Sequence, residues 1–214
     1  MNLMDQIRTH RLIPVLEIAS ATNALPLAEA ILEGGISIME ITLRTSDAIK
    51  AIIAIRNTFP EILVGAGTVI TLEQAAMVQD VGAQFGVSPG FDSEVVRSFQ
   101  DQGIPFIPGV VTPSEVQAAI KKQCYLLKYF PADVAGGPQY LRGLSGPFSA
   151  YDIQFCATGG VNQENMSEYF KIPSVCSIGG SWLASRQQIY DQDWKGIKQQ
   201  VALALELVLP IRES

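Results

Sequence analysis

A lysine inside an apolar run is the first feature of this sequence that could do chemistry. Lys128 lies within residues 126–130 (LLKYF), a run that predicts a short buried strand. Burying an ammonium group is costly unless the group is paired or loses its proton. A buried amine can act as a nucleophile that forms a Schiff base with a carbonyl substrate. The alternative is a structural ion pair, so the position of a nearby carboxylate matters.

Glu40 is the carboxylate that strand alternation brings to Lys128. The predicted strand 37–43 and the residue after it place Ile38, Glu40, Thr42 and Arg44 on one face and Met39, Ile41 and Leu43 on the other. Since the all-apolar face suits packing against helices, the face with Glu40 is expected to point inward. There Glu40 could carry protons for aldol chemistry, or could serve only as the counter-ion of Lys128.

Arg44 and Thr68 could together hold an anion. An arginine binds a carboxylate through two N–H groups, and a threonine hydroxyl adds a donor. Thr68 ends the predicted strand 62–68 and is expected to share an inward face with Ala66 and Val64. For Arg44 the alternative is a solvated position at the rim of the fold.

Two glycine pairs follow the last two predicted strands and could bind phosphate. They are Thr158-Gly159-Gly160 in ATGG, and Gly180-Ser181 in SIGGS. Glycine lets the backbone N–H groups approach phosphate oxygens closely, and a following helix N-terminus favours the negative charge. Ordinary turns also contain such pairs, so both interpretations stay open.

Eight strands alternating with helices would position these residues. The predicted strands are 12–17, 37–43, 62–68, 84–88, 105–109, 125–130, 153–158 and 175–179. The predicted helices lie near 22–34, 46–58, 71–82, 92–103, 113–122, 137–145, 162–170 and 186–208, after a short helix at 2–10. The expected N-caps are Thr22, Ser46, Thr71, Asp92, Thr112 and Asn162, and Gly34 is expected to be left-handed. This alternation predicts a single α/β domain folded as a (β/α)₈ TIM barrel, with a doubly wound open sheet as the alternative.

Composition excludes several classes of function. The net charge is −6 without a run of Lys or Arg, so no nucleic acid partner is expected. The three cysteines include no C-x-x-C pair, and one histidine, His10, leaves no multi-histidine zinc site, so no metal is expected. No apolar run reaches the ~20 residues of a membrane span, and the start lacks a signal-peptide pattern. We therefore expect no membrane partner and a cytoplasmic location.

The chain resembles the family of 2-keto-3-deoxy-6-phosphogluconate (KDPG) and 4-hydroxy-2-oxoglutarate (KHG) aldolases. The segments that carry the resemblance are MEITLRT, VGAGTV, VSPGF, IPFIPGVVTPSE, LKYFPAD, GPFS, FCATGGV and SIGGSWL. They occur in the family's order and cover nearly the whole predicted barrel. Each motif is weak alone, and together they are highly specific.

The resemblance implies a class I aldolase domain over residues 1–214, a homotrimer that needs no metal or other cofactor. It would cleave KDPG to pyruvate and D-glyceraldehyde 3-phosphate, and 4-hydroxy-2-oxoglutarate to pyruvate and glyoxylate. It implies that Lys128 forms the Schiff base and Glu40 shuttles protons. The remaining implied roles are the substrate carboxylate site (Arg44, Thr68), the phosphate site (Thr158, Gly159, Gly160, Gly180, Ser181) and the pocket wall (Pro89, Phe130).

The sequence departs from the family pattern at three positions. Ala157 stands where the family typically has Pro, and Tyr129 and Asp133 stand where Phe and Glu are common. Tyr129 is expected to face the helices, where the change is mild, whereas Ala157 is expected to loosen the phosphate turn. A phosphosugar isomerase or epimerase barrel without an imine is the rival enzyme, and a barrel that only binds a phosphometabolite is the rival without catalysis.

Overall fold

The computed structural model, which describes residues 3–208, is a barrel of parallel strands surrounded by helices. The strands are β1 (Leu12–Leu16), β2 (Ile38–Thr42), β3 (Leu63–Gly67), β4 (Phe85–Val87), β5 (Phe106–Ile107), β6 (Gly109–Val110), β7 (Leu126–Tyr129), β8 (Gln154–Thr158) and β9 (Val175–Gly180). The helices are α1 (Leu3–Thr9), α2 (Ala24–Glu33), α3 (Ala48–Thr58), α4 (Leu72–Asp80), α5 (Ser93–Asp101), α6 (Pro113–Lys121), α7 (Gly137–Ser145), α8 (Met166–Phe170), α9 (Arg186–Tyr190) and α10 (Trp194–Val208). Short 3₁₀ helices occupy Ala21–Asn23, Gly146–Tyr151 and Ser181–Ala184.

The barrel closes at Pro108, which divides the predicted strand 105–109 into β5 and β6. Proline has no N–H to donate to a ladder, so the strand changes partner there. β5 pairs with β4, while β6 pairs with β7, where Gly109 lies opposite Lys128. The sheet order β5-β4-β3-β2-β1-β9-β8-β7-β6 therefore ends on two strands that are adjacent in the chain. This order confirms the (β/α)₈ barrel over the doubly wound open sheet.

The apolar core lies mainly between the barrel and its helices. Helix α3 buries Ala48, Ala51, Ile52 and Ile55, which repeat at helical spacing on one face. On β2, Met39 and Ile41 are fully buried as the outward face of the strand, as predicted. Full burial of each such aliphatic side chain stabilises the fold by about 1.5–3 kcal/mol. Packing between the helices and the outer face of the barrel thus stabilises the fold, and the barrel interior can contain polar side chains.

Several predicted element ends are wrong by one or a few residues. Thr71, Asp92 and Thr112 accept backbone hydrogen bonds as N-caps, as predicted. Asn23 and Asp47 occupy the positions before α2 and α3 instead of Thr22 and Ser46, and neither caps through its side chain. Asn162 accepts bonds from the backbone N–H groups of Glu164 and Asn165, but in a turn ahead of α8. Local capping signals therefore place helix starts only approximately.

The glycine at the end of α2 and the last predicted helix also differ from expectation. Gly35, with φ +100, takes the left-handed position, whereas Gly34 has φ −73. A side chain on Gly34 would meet Val201 of α10 within 2.8 Å, so its role is close helix packing. The segment 186–208 forms two helices, separated where Gln192 has φ +56. The predicted helix at 2–10 is α1, which buries Ile7; position 2 lies outside the described residues.

Candidate active site

Lys128 and Glu40 meet inside the barrel, as strand alternation predicts. The distance from Lys128 Nζ to Glu40 Oε1 is 3.0 Å, and the side chains are only 7% and 5% exposed. β7 and β2 are not neighbours in the sheet, so the pair crosses the barrel interior. The ring of Phe130 lies 5.4 Å from Lys128 Nζ. A buried pair of this kind costs several kcal/mol of desolvation per ion, which indicates a functional reason for keeping both groups.

Gly67 provides the space that the Glu40 carboxylate occupies. A Cβ atom built on Gly67 would lie 2.1 Å from Glu40 Oε1, well inside van der Waals contact. The partner of Glu40 in the β2–β3 register is Gly65, and a Cβ there would lie 2.2 Å from the ring of Phe85. Two glycines on the inward face of β3 thus leave room for two larger neighbours. Sequence reasoning missed this role of VGAG.

Replacing Gly67 with Ala is expected to lower kcat about 100-fold, because displacement of a reacting group by ~1 Å can cost that much. The new methyl group would push the Glu40 carboxylate from its place. Gly143→Ala is the matched control, since a Cβ on Gly143 meets nothing within 4 Å. The measurement is steady-state kcat of both variants. Equal kcat values for the two variants would contradict this role of Gly67.

The inward face that alternation gives to Val64 and Ala66 is wrong, while the inward position expected for Thr68 stays a prediction. The register pairs Glu40 with Gly65, so Gly65 and Gly67 face inward, while Val64 and Ala66 face the helices. Thr68 lies just beyond the end of β3 with φ +63, a conformation that is an outlier for a β-branched residue. Strain of this kind is found where function fixes the backbone. The role of Thr68 in carboxylate binding therefore stays a prediction, now linked to an unusual backbone.

The C-terminal ends of the strands form the mouth of the barrel, and Arg44 lies there, just after β2 ends. Its side chain is 46% exposed, and its Nη1 lies 4.0 Å from Oε2 of Glu17. Arg44 and Glu17 line a cavity of about 420 Å³. Its other lining residues are Val15, Leu16, Thr42, Ser181, Trp182, Ala184, Ser185 and Arg186. Val15 is the register partner of Glu40, so the cavity reaches the strand next to Glu40, although neither Glu40 nor Lys128 lines it.

The glycine turn after β8 lies on the same side of the barrel as this mouth, and so does Gly180, which ends β9 in an extended conformation instead of the predicted turn. Gly159 and Gly160 have φ values of +94 and +81, which side chains rarely adopt. A Cβ on Gly160 would lie 2.3 Å from the Cβ of Asp133, and one on Gly180 would lie 2.4 Å from Trp182 Nε1. Ser181 begins the 3₁₀ helix after β9 and lines the mouth cavity. Both glycine segments are thus tightly packed, and their phosphate role stays a prediction.

The other predicted site residues occupy the wall and interior of the barrel. Thr158 is buried at the end of β8, and a Cβ on the neighbouring Gly179 would lie 2.3 Å from its Oγ1. The backbone of Pro89 packs against Gly109 of β6, where a Cβ would lie 2.1 Å from Pro89 O. Tyr129 is fully buried and stacks on Tyr140 of α7, so it faces the helices as predicted.

A cysteine lies beside Lys128 in the barrel interior. Cys156 is the register partner of Lys128, and its Sγ lies 3.7 Å from Thr158 Oγ1. Burial raises the pKa of this thiol, which keeps it protonated and poorly nucleophilic. Lys128 is therefore the stronger candidate nucleophile of the two.

All three thiols are expected to react slowly with an aromatic disulfide reagent at pH 8. Burial raises the pKa of Cys124 to about 11 and that of Cys176 to about 12, so the reactive thiolate is scarce at pH 8. The measurement is thiol release by the native chain and by the chain unfolded in guanidinium, where all three should react. Rapid stoichiometric labelling of the native chain would contradict the expectation.

A family model described as KDPG and KHG aldolase matches residues 3–200. The chain belongs to the KDPG and KHG aldolase family. This match confirms the resemblance to that family that the sequence motifs indicate.

Individual members of the KDPG and KHG aldolase family align over almost the whole chain. A 2-dehydro-3-deoxy-phosphogluconate aldolase from Treponema pallidum is 38% identical over 206 residues, covering 96% of this chain and 97% of the relative. The KHG/KDPG aldolase of Escherichia coli K12 is 38% identical over 200 residues, covering 94% and 93%. A KDPG aldolase from Legionella pneumophila, crystallised with pyruvate captured at low pH as a covalent carbinolamine intermediate, superimposes with a TM-score of 0.89. It is 42% identical, and the match covers 92% of this chain and 95% of that one.

Among residues 3–208, no group of three or more His, Cys, Asp or Glu side chains is arranged to hold a metal ion. None of the helices in the same range has the length and apolar character needed to cross a membrane.

Sequence reasoning missed Glu17 and Arg186 at the mouth. Arg186 Nη2 is paired with Glu17 Oε2, so Glu17 lies between Arg186 and Arg44. One signal was available for Glu17, because it ends the predicted strand 12–17 on the same face as Val15. Arg186 gave none, because it lies 169 positions from its partner at the start of a helix.

Proposed function

We propose that this protein is a class I aldolase that reversibly cleaves KDPG to pyruvate and D-glyceraldehyde 3-phosphate, and also cleaves 4-hydroxy-2-oxoglutarate to pyruvate and glyoxylate. The observation that carries the proposal is the buried contact of 3.0 Å between Lys128 Nζ and Glu40 Oε1. A free amine must attack the C2 ketone, and a carboxylate must move protons beside it. The barrel interior brings these two groups together.

The reaction follows from the positions of the two side chains. The Lys128 amine adds to C2, and loss of water gives an iminium. Glu40, directly or through one water, takes the proton of the C4 hydroxyl while the electrons of the C3–C4 bond move to the iminium nitrogen. The aldehyde leaves, and Glu40 returns the proton to C3 of the enamine. Hydrolysis then releases pyruvate and restores the amine.

The mouth of the barrel would hold the ends of the substrate. Arg44, with Thr68, binds the carboxylate next to C2. The phosphate binds at Gly159, Gly160, Gly180 and Ser181 with Thr158 beside them, while Pro89 and Phe130 form the pocket wall. The positive φ values of Gly159 and Gly160 support this role, since they let backbone N–H groups approach an anion closely.

The reaction needs no metal or other cofactor under this proposal. The Legionella pneumophila enzyme, captured with pyruvate as a carbinolamine, supports this view, because a carbinolamine is the product of adding an amine to a carbonyl. Family resemblance supports a homotrimer, a single domain over residues 1–214, and a cytoplasmic enzyme acting on small 2-keto acids.

Trapping the imine tests the proposal. The protein is incubated with pyruvate and borohydride, digested, and mapped by mass spectrometry. We expect a reduced pyruvyl adduct on Lys128. The rival isomerase or epimerase, which uses no imine, gives no adduct, and the absence of an adduct would overturn the aldolase mechanism.

A further inference from the structure

Glu17 lies between the two predicted anion sites of the mouth. It follows β1, and β1 lies between β2, which leads to Arg44, and β9, which leads to Ser181. Glu17 shares the lining of the 420 Å³ cavity with both of these residues. The Glu17 side chain is only 21% exposed. A largely buried carboxylate therefore lines this cavity together with Arg44 and Ser181.

Two arginine side chains lie beside the Glu17 carboxylate. Arg186 is paired with Glu17 Oε2, and Arg44 Nη1 lies 4.0 Å from the same oxygen. Arg186 and Ser181 line the same cavity, so a phosphate bound at Ser181 would have a guanidinium near it. A carboxylate has about four lone-pair sites, so Glu17 keeps capacity to accept further hydrogen bonds.

The neighbouring hydroxyl is already engaged. Thr42 Oγ1, which lines the same cavity, donates a hydrogen bond of 3.0 Å to the carbonyl oxygen of Leu16. Glu17 is therefore the strong acceptor on this part of the wall. An acceptor at this place suits a substrate that carries a hydroxyl between its two anionic ends.

We propose that Glu17 is a specificity-determining residue that accepts a hydrogen bond from the C5 hydroxyl of the substrate. The inference rests on the proposed function. With C1 at Arg44, C2 bound to Lys128 and the phosphate beside Ser181, the C5 hydroxyl of KDPG passes the β1 wall. In 4-hydroxy-2-oxoglutarate the C5 atom is instead a carboxylate, which would face Glu17 as a like charge. Glu17 thus favours the phosphorylated sugar acid by one attractive and one repulsive contact.

The test compares kcat/KM of the full chain on these two substrates in the wild type and in Glu17→Gln. Glutamine keeps the size of the side chain and removes its charge. We expect the ratio of kcat/KM for KDPG to that for 4-hydroxy-2-oxoglutarate to fall at least about tenfold, since hydrogen bonds to charged groups are worth about that much or more. The value for 4-hydroxy-2-oxoglutarate itself should rise. Glu33→Gln is the matched control, because Glu33 pairs with Lys198 at 2.9 Å on α2 and α10.

A merely structural role of Glu17 would lower both values in equal proportion, and that result, or an unchanged ratio, would overturn the inference. Glu17→Asp is a second variant, which keeps the charge and withdraws it by one methylene. We expect it to lower kcat/KM for KDPG without raising that for 4-hydroxy-2-oxoglutarate. Imine trapping with pyruvate is run on the same wild-type preparation. An adduct with an unchanged ratio overturns only the role of Glu17, whereas no adduct overturns the proposed function.

Discussion

Replacing Lys128 with Met is expected to lower kcat for cleavage by at least about four orders of magnitude, since loss of a nucleophile removes the covalent route. Methionine has nearly the length of lysine but no amine, so no imine can form. The measurement is kcat for release of pyruvate, followed in a coupled assay. Trapping by borohydride on this variant should give no adduct at position 128.

The variant Lys128→Arg distinguishes the role of Lys128 as a nucleophile from its role as the positive partner of Glu40. Arginine keeps the positive charge beside Glu40, yet its guanidinium does not deprotonate in proteins and cannot form the imine. If Lys128 were only the counter-ion of Glu40, the arginine variant would keep its activity. We expect it to be as inactive as Lys128→Met, and a kcat within tenfold of the wild type would contradict the mechanism.

The double variant Lys128→Met with Glu40→Gln controls for stability. Removing Lys128 alone leaves a buried carboxylate without its partner at 3.0 Å, and breaking such a pair costs about 3–5 kcal/mol. Neutralising Glu40 as well removes that uncompensated charge. We therefore expect the double variant to unfold at a higher temperature than Lys128→Met in calorimetry, while both stay inactive. Inactivity of the stabler protein attributes the loss to chemistry.

The pairing of Lys128 with Glu40 could be predicted because burial leaves a lysine few choices. An inward lysine needs a partner, and alternation on β2 offers Glu40 on a face whose reverse is wholly apolar. The eight strand-helix units likewise follow from apolar runs separated by helical segments. Features that depend on the periodicity of one segment, such as the inward face of β2 and the succession of strands and helices, could therefore be predicted from the sequence.

The inward face of β3 was not accessible in the same way. In VGAG both faces of β3 are small or apolar, because strands in parallel sheets are buried on both sides. Alternation then gives no sign of which face points inward. The β2–β3 register decides it by placing Gly65 next to Glu40, and that register depends on the assembled sheet.

Gly67 and Glu17 show a second limit. The need for glycine at position 67 exists only because Glu40 Oε1 would lie 2.1 Å from a Cβ there. Glu17 at a strand end is as typical of a solvent-exposed residue as of a pocket wall, until Arg186 of α9 is brought to it. The roles of Gly67 and Glu17 depend on contacts between elements that are distant in the chain, and the sequence alone does not predict such contacts.

Glu40→Gln is expected to lower kcat about 10²–10⁴-fold, the usual contribution of a general acid or base. Glutamine fills the same space beside Gly67 and still offers an oxygen to Lys128, so the packing of the interior is kept. It cannot take the C4 hydroxyl proton or return a proton to C3. The loss should therefore lie in proton transfer.

Deuterium exchange separates this role from that of a counter-ion. Through its enamine, pyruvate exchanges its C3 protons with solvent, and nuclear magnetic resonance in D₂O follows the rate. For Glu40→Gln we expect exchange to fall in parallel with kcat, while borohydride still traps pyruvate on Lys128 at a reduced rate. If Glu40 served only to balance the charge of Lys128, exchange per trapped imine would stay at the wild-type value. That result would assign the proton transfers to another group or to water.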